Sequence, residues 1–537
     1  MPFLGISASI ASIATVIFYL QPLKTMTLPA YLQFLQNPVF TPVGSYLDFA
    51  VLLGFVVFSE VGMLLNKKKS ILSIITLTIC SFGFLLSVYM ILKPNSGVGT
   101  ILPPLRQSWF AAVEILKNPI QALFGVGVDN FGSIFTQVKD ATYNQSLTYW
   151  QINTFAVSRS SLLHVFTEAG VFGLVSLALL LIGVGLRLKT TLKNDLFLPS
   201  IFLFIVMLAL PPSFFVFFLF FVLLSVFMSG DREHSGAKTV MNLSDMVPIY
   251  LGLVTIIFLV VIALTYFLGR AYMAEYMFKK SLDGLAKNDV QSLYENQRQA
   301  TILNQYIERF HSAYAQTNLL IANNVATRIT AQQQKDKKTQ LSEQDRQIVT
   351  QAVQAAINEA KATVALNSQK STNWEILATI YRNVLSVVQG ADVWTISAYQ
   401  RAIILDPQNP LYRLNLGGVY YSINNFGEAL KMFEQTTALK PDWANAYYNL
   451  AWSAYQTADY PRSVREMQTV LTLLNPKTDQ ADYVRAQNDL NEFKKKLPPE
   501  EATVTPNSTP KQLSLPTPQP TLEPRVQLPK DASPSAK

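Results

Sequence analysis

The sequence predicts an all-α protein: a polytopic bundle of membrane helices, then an α-solenoid of paired helices, then an unfolded tail. Three observations carry that prediction. Half of the 537 residues are hydrophobic and only 15% are charged, well short of the roughly 25% typical of soluble domains. The deficit lies mostly before residue 270, where apolar runs recur at about the 20-residue length that crosses a bilayer core. Beyond 270, Pro407, Pro441 and Pro476 mark periods of 34 and 35 residues, a spacing that belongs to stacked helical repeats.

Taken in chain order, residues 3–20 read as a first span. They lack a positively charged leading segment and a small-residue cleavage site, which argues against a cleavable signal. Further spans are expected at 46–64, 71–93, 162–186 and 247–269. The apolar run 196–230 is too long for one span, and Pro211-Pro212-Ser213 divides it, because paired prolines break a helix and favour a turn. The membrane domain, 1–269, therefore holds about seven spans. Lys67-Lys68-Lys69 and the stretch RLKTTLK at 187–193 belong on the cytoplasmic side. A multi-pass protein of the cell membrane results, with loop 94–161, the repeat domain and the C-terminus outside the cytoplasm. A single crossing at 196–230 would move the C-terminal half inside.

The lone cysteine, Cys80, sits in an apolar run, so neither a disulfide framework nor a cysteine metal site is expected. The net charge of +8 is spread without a dense Lys/Arg block, which excludes a nucleic-acid partner.

From 270 to 497 the composition becomes that of a soluble helical domain. Leu416-Gly417, Tyr420, Phe426, Ala429, Phe433 and Pro441 recur in the next unit as Tyr447, Leu450-Ala451, Tyr460 and Met467. An earlier unit carries Trp374, Leu377-Ala378, Tyr381, Tyr399, Ala402 and Pro407, with a five-residue insertion. These spacings closely resemble the tetratricopeptide repeat (TPR). Three clear repeats span 371–409, 410–443 and 444–477, and segments 272–330 and 345–368 add degenerate helix pairs. Each unit needs neighbours to bury its apolar face, so the aromatic stripes belong to the core. The polar run 331–347 reads as a loop or frayed helix end. A stack of this kind is expected to bind protein partners. The tail, 498–537, holds ten prolines among Thr, Ser, Gln and Lys and cannot bury enough apolar surface to fold.

Loop 94–161 contains LFGVGVDNFGSIF at 123–135. Its GxG is not preceded by a strand in a βαβ context, so the dinucleotide fingerprint does not apply. Glycines 125, 127 and 132 are expected in tight turns with positive φ, with Asp129 and Asn130 as turn formers. The order Gly125-x-Gly127-x-x-Asn130-Phe131, about 30 polar and aromatic residues, and then Glu168, Gly170 and Gly173 in an apolar helix resembles the O-antigen ligase and polymerase family of integral membrane glycosyltransferases. The similarity covers about residues 70–230. Two features depart from it: Val157-Ser158-Arg159-Ser160 stands where many members carry a His-rich stretch, and three spans precede the loop where members generally have more.

The resemblance implies transfer or polymerisation of a polyprenyl-diphosphate-linked glycan at the outer membrane face, in surface polysaccharide assembly, with membrane lipid as the setting. No metal and no other cofactor is implied. A diphosphate leaving group needs fixed cations, best supplied by the planar fork of arginine. Arg106 and Arg159 fit, with Lys117 as a point charge, and Asn130 is the substrate-binding residue carried by the motif. The acceptor hydroxyl needs a base. His164 and Glu168, four apart on one helical face, are the catalytic candidates together with Arg159. Ser160 or Ser161 is expected to cap that helix. The alternative function is a non-enzymatic membrane anchor that presents the TPR-like domain to protein partners.

Overall fold

A computed structural model describes residues 2–497 apart from 23, 30–31, 33–35, 38–39, 67–69, 94–100, 191–194, 230–246 and 336–341. The expected unfolded tail and the Lys67–Lys69 cluster lie outside the described residues, as does part of RLKTTLK. Every regular element among the described residues is helical. Contacts divide the chain into two units, 1–245 and 246–537.

The first unit is built around α2. Its helices are α1 (Pro2–Leu20), α2 (Tyr46–Leu65), α3 (Ile71–Leu92), α4 (Leu105–Glu114), α5 (Pro119–Phe124), α6 (Phe131–Val138), α7 (Ala141–Gln145), α8 (Ser161–Thr190), α9 (Phe197–Ala209) and α10 (Phe214–Ser229). The most apolar window of α2 is 56% buried, against 22% for α3 and 17% for α8, so α2 is the centre of the bundle. Its N-terminus is set by Ser45, whose hydroxyl accepts from the Asp48 amide at 3.0 Å. One face, with Phe49 and Leu53, packs on Ala8 of α1 and Cys80 of α3. Another, with Val51 and Phe55, packs on Leu203 and Met207 of α9 and Leu219 and Leu223 of α10.

The long apolar run at 196–230 does break at Leu210–Ser213, giving helices of 13 and 16 residues. Helix α8 starts where α9 ends: the Ser161 amide donates to the Leu210 carbonyl at 3.0 Å. At the other end of α2, the Asn66 side-chain amide donates to the Asp195 carboxylate at 2.9 Å, just before α9. Among the described residues, five helices are long and apolar enough to cross a membrane: α1, α2, α3, α8 and α11 (Val247–Ala286) of the second unit. Helices α9 and α10 are apolar but shorter.

The second unit begins with that 40-residue helix. The composition change at 270 suggests a boundary, yet α11 runs through it without interruption and groups with the repeat helices after it. Helix pairs then succeed one another: α12 (Val290–Leu303), α13 (Glu308–Lys335), α14 (Glu343–Leu366), α15 (Ser371–Asn383), α16 (Ala391–Leu405), α17 (Pro410–Ser422), α18 (Phe426–Leu439), α19 (Ala444–Gln456), α20 (Tyr460–Leu473) and α21 (Gln480–Lys494). This is a TPR-like stack. Trp374, Tyr381, Tyr399 and Phe433 are all buried, as core aromatics should be.

One turn recurs at three places. Asn288, Asn424 and Ala458 have positive φ. The next residue in each case (Asp289, Asn425 or Asp459) caps the helix after it through its side chain. The amide of that residue reaches back to the carbonyl of Gly284, Tyr420 or Ala454 at 2.9, 2.8 and 2.9 Å. A left-handed residue with a bond spanning five positions is a Schellman closure. The end of α11 with α12 is therefore a first repeat pair, built like α17–α18 and α19–α20.

Candidate functional site

The stretch 118–131 is shaped by its own residues. Asn118 caps α5, its side-chain oxygen accepting from the Ile120 amide at 3.0 Å, and Pro119 occupies the first helical position. Gly125 ends α5 with φ 76°, and Gly127 and Asp129 come next at 87° and 63°. Gly132 differs from expectation. It lies inside α6 and packs against Thr154, where a helical turn needs no positive φ.

The loop closes on a break in α8. Gly170 has φ 64° and ψ −159°, which divides α8 into two helical pieces. The break releases carbonyls that a continuous helix would use, and the loop supplies their donors. Val126 donates to the Thr167 carbonyl and Gly127 to the Glu168 carbonyl, both at 3.0 Å. A Cβ on Gly125 would lie 2.2 Å from Glu168 backbone atoms, and one on Gly170 would lie 2.5 Å from Gly125 N. GxG here is a backbone-to-backbone dock: the Val126 and Gly127 amides are committed to α8 and the Gly125 amide to the Gln121 carbonyl of α5, rather than to a phosphate.

Glu168 completes the dock. One carboxylate oxygen accepts from the Phe131 amide at 3.2 Å, at the start of α6. The other lies 3.3 Å from His164 Nε2, with both side chains largely buried. The Phe131 ring lies 5.8 Å from the His164 ring. His164 Nδ1 has no hydrogen-bond partner among the described residues. This arrangement holds α6 against α8, and it also presents an imidazole oriented by a carboxylate, the geometry of a general base.

The remaining candidates are dispersed. Arg106 on α4 pairs with Asp140 at 3.3 Å and covers the Phe110 ring. Asp140 in turn caps α7. Lys117 is highly exposed and pairs with Glu114 at 2.9 Å. Asn130 is the residue before α6 and makes no side-chain cap. Arg159 is fixed by its backbone, its amide donating to Ser108 Oγ at 3.0 Å. Its guanidinium forms no ion pair among the described residues. The structure thus joins His164 and Glu168 to the residue after Asn130, and leaves Arg106 and Lys117 in pairs of their own.

Ser160 and Ser161 do not cap α8 with their side chains. Their hydroxyls donate to the carbonyls of Met207 and Leu210 at 3.3 and 3.1 Å, so they fasten α8 to the end of α9. Beside this junction lies a cavity of about 230 Å³ whose walls include Val51, Leu102, Phe155, Val157, Leu210 and Val216. Its polar neighbours Ser45 and Ser213 serve as helix caps. Nothing local in the sequence signals this cavity, since its walls come from four separated segments. Glu60 is buried inside the apolar helix α2, and its sequence cue is an acid in the middle of an apolar run.

No protein-family description matches this chain, and no curated protein does. Part of the chain is similar to several solved structures. A crystal structure of MamA shares 16% identity over 38% of this chain and 93% of its own, with a TM-score of 0.29. YrrB, described as a TPR protein with an unusual peptide-binding site, shares 12% over 40% and 90%, also with a TM-score of 0.29. The pilF protein of Pseudomonas aeruginosa shares 13% over 42% and 90%, again at 0.29.

Proposed function

We propose that the protein is a membrane-anchored interaction module whose repeat stack binds a protein partner outside the cytoplasm. One observation carries this reading: the first helices of successive pairs line up as a hydrogen-bonding surface. Arg382 of α15 donates to Asn415 of α17 at 3.1 Å, and Gln456 of α19 donates to the Tyr421 hydroxyl of α17 at 3.3 Å. Asn383, Gly418, Ser422 and Gln456 are exposed along the same helices. Amides, hydroxyls and one guanidinium in a row suit the backbone of an extended peptide, and stacked helix pairs form such concave surfaces.

Single cysteines test both the surface and its location, because Cys80 is buried. Asn383→Cys, Ser422→Cys and, as a control on α16, Ile404→Cys would be treated with a membrane-impermeant maleimide. The control should label equally in intact cells and in purified protein, whereas the first two should label several-fold more slowly in cells. Equal rates at all three sites overturn the groove. An unlabelled control in intact cells overturns the outside location.

A second reading is outer-face transfer of a lipid-linked glycan. It is supported by the Arg159 guanidinium, which has no ion-pair partner among the described residues. Arg159 sits in the segment that runs from the cavity wall at Val157 to the α8–α9 junction, two residues before the helix that bears His164 and Glu168. Under this reading the cavity takes lipid chain, Arg159 faces the diphosphate, and His164 accepts the acceptor proton. Arg159→Ala should then lower transfer by roughly a hundredfold or more, with lipid-linked glycan accumulating in cells. Arg159→Lys should be impaired too, since a point charge lacks the bidentate fork. Unchanged surface glycan in both variants removes this reading and leaves the anchor.

A further inference from the structure

The first layers of the repeat stack contain a histidine with an unusual set of partners. His311, on α13, is 8% exposed. Its Nδ1 lies 2.5 Å from a Glu359 carboxylate oxygen on α14. Its Nε2 lies 2.9 Å from the backbone carbonyl of Gln305, in the turn between α12 and α13. Both partners are acceptors. A neutral imidazole has one N–H and can serve only one of them, whereas an imidazolium serves both.

We infer that a proton held between His311 and Glu359 latches α13 to α14, and that this junction loosens as pH rises. The surrounding charged groups are engaged elsewhere, and Tyr314 is a neighbour that also feels the Glu359 charge. On α13, Glu308 is engaged with Lys370 and with Asn373 at the start of α15. Arg309 turns to Glu275 of α11, and Tyr314 packs its ring on Tyr294 of α12. Glu359 is the charged side chain that acts on the imidazole among the described residues. Burial works against the cation, but the Glu359 hydrogen bond, the Gln305 carbonyl and the Glu359 charge outweigh it and raise the pKa above the ordinary 6.5.

A group that binds its proton more tightly when folded contributes its full stability below the unfolded value, and loses it as pH rises through the folded value. Here the window opens at 6.5 and extends upward. Once the proton leaves for solvent, one buried acceptor has no donor, a costly state for a group away from water. Glu308 reaches from this same helix to Lys370 and Asn373, so the latch bears on how firmly the early layers hold the groove-bearing repeats.

The test uses the full chain in detergent micelles or nanodiscs, with histidine ring carbons labelled for NMR. The protein has three histidines, His164, His234 and His311, which single substitutions assign. His311 should titrate above 6.5. Hydrogen-exchange protection of amides in α13 and α14 around the pair should fall, after correction for intrinsic rates, by up to about tenfold for each unit of raised pKa. Glu359→Gln supplies a second variant that keeps the fold: its amide can donate to Nδ1 while Nε2–H donates to Gln305, so neutral histidine satisfies every partner. Protection in this variant should be flat between about pH 6 and 8.5, and the His311 titration should drop below its wild-type position. A His311 midpoint at or below 6.5, or equal pH dependence in wild type and Glu359→Gln, would overturn the latch.

Discussion

Gly417→Trp unfolds the centre of the repeat stack. A mere Cβ at this position would lie 2.6 Å from Phe433 Cε1 and 2.9 Å from Cδ1, and Phe433 is 1% exposed. The phenyl ring fills the space between α17 and α18 and has no free volume to move into. An indole there must expel Phe433 or separate the two helices. Overpacking a tight contact commonly costs roughly 1–3 kcal/mol, and a side chain this large should reach about 3 kcal/mol or more. Gly418→Ala is the internal control, because nothing lies within 4 Å of its Cβ position. It should stabilise by up to about 1 kcal/mol, the ordinary gain of Ala over Gly in a helix. Chemical denaturation followed by circular dichroism separates the two. Similar midpoints for both variants would mean that α17 and α18 do not meet at Gly417.

Gly170→Ala should be as damaging in the first unit. A Cβ would meet backbone atoms of Leu123 and Gly125 at 2.5 Å, and backbone cannot escape by changing rotamer. The φ of 64° with ψ −159° lies in a region that is essentially glycine's alone, which adds roughly 1–3 kcal/mol for any L-residue. Relief requires withdrawing the loop, which breaks the Val126–Thr167 and Gly127–Glu168 bonds and strands buried carbonyls. The combined loss should exceed about 3 kcal/mol. Thermal melting of the purified protein in detergent would show it, with Gly183→Ala as a control where nothing lies within 4 Å. Equal melting of the two variants would refute the dock.

The parts of the fold that were legible in the sequence are those written in local pattern. Prolines 34 residues apart, with Tyr399 and Phe433 at the same spacing, announce helix pairs because each residue type serves its own pair. Pro211-Pro212 announces the break after α9 for the same reason. The features that stayed hidden depend on distant contacts. The purpose of Gly125 is invisible without the break at Gly170, and α8 reads as one uninterrupted apolar helix. Ser160 and Ser161 look like caps until the end of α9 presents two carbonyls to them. Around 270 the composition changes from apolar to polar while the backbone remains helical, since polarity decides what surrounds a helix and leaves its hydrogen bonds untouched. The first repeat pair was faint because the turn at Asn288-Asp289 keeps the backbone closure but lacks the proline and aromatic signals of its successors. At the candidate site, the i,i+4 spacing of His164 and Glu168 put them together, whereas nothing local could reveal that Arg106 answers to Asp140.

The uninterrupted α11 makes the repeat stack a crank. Its 40 residues extend about 60 Å, twice the roughly 30 Å of a bilayer's hydrocarbon core. The same rigid rod thus carries the apolar half and the first repeat turn. One alanine inserted near Gly269 would swing the proposed peptide-binding face by about 100° around the rod and lift it by about 1.5 Å. About seven alanines would nearly restore the heading while raising that face by about 10 Å. Partner capture should therefore track the helical phase of an insertion rather than its length, and a flexible glycine linker at that point would abolish the dependence altogether.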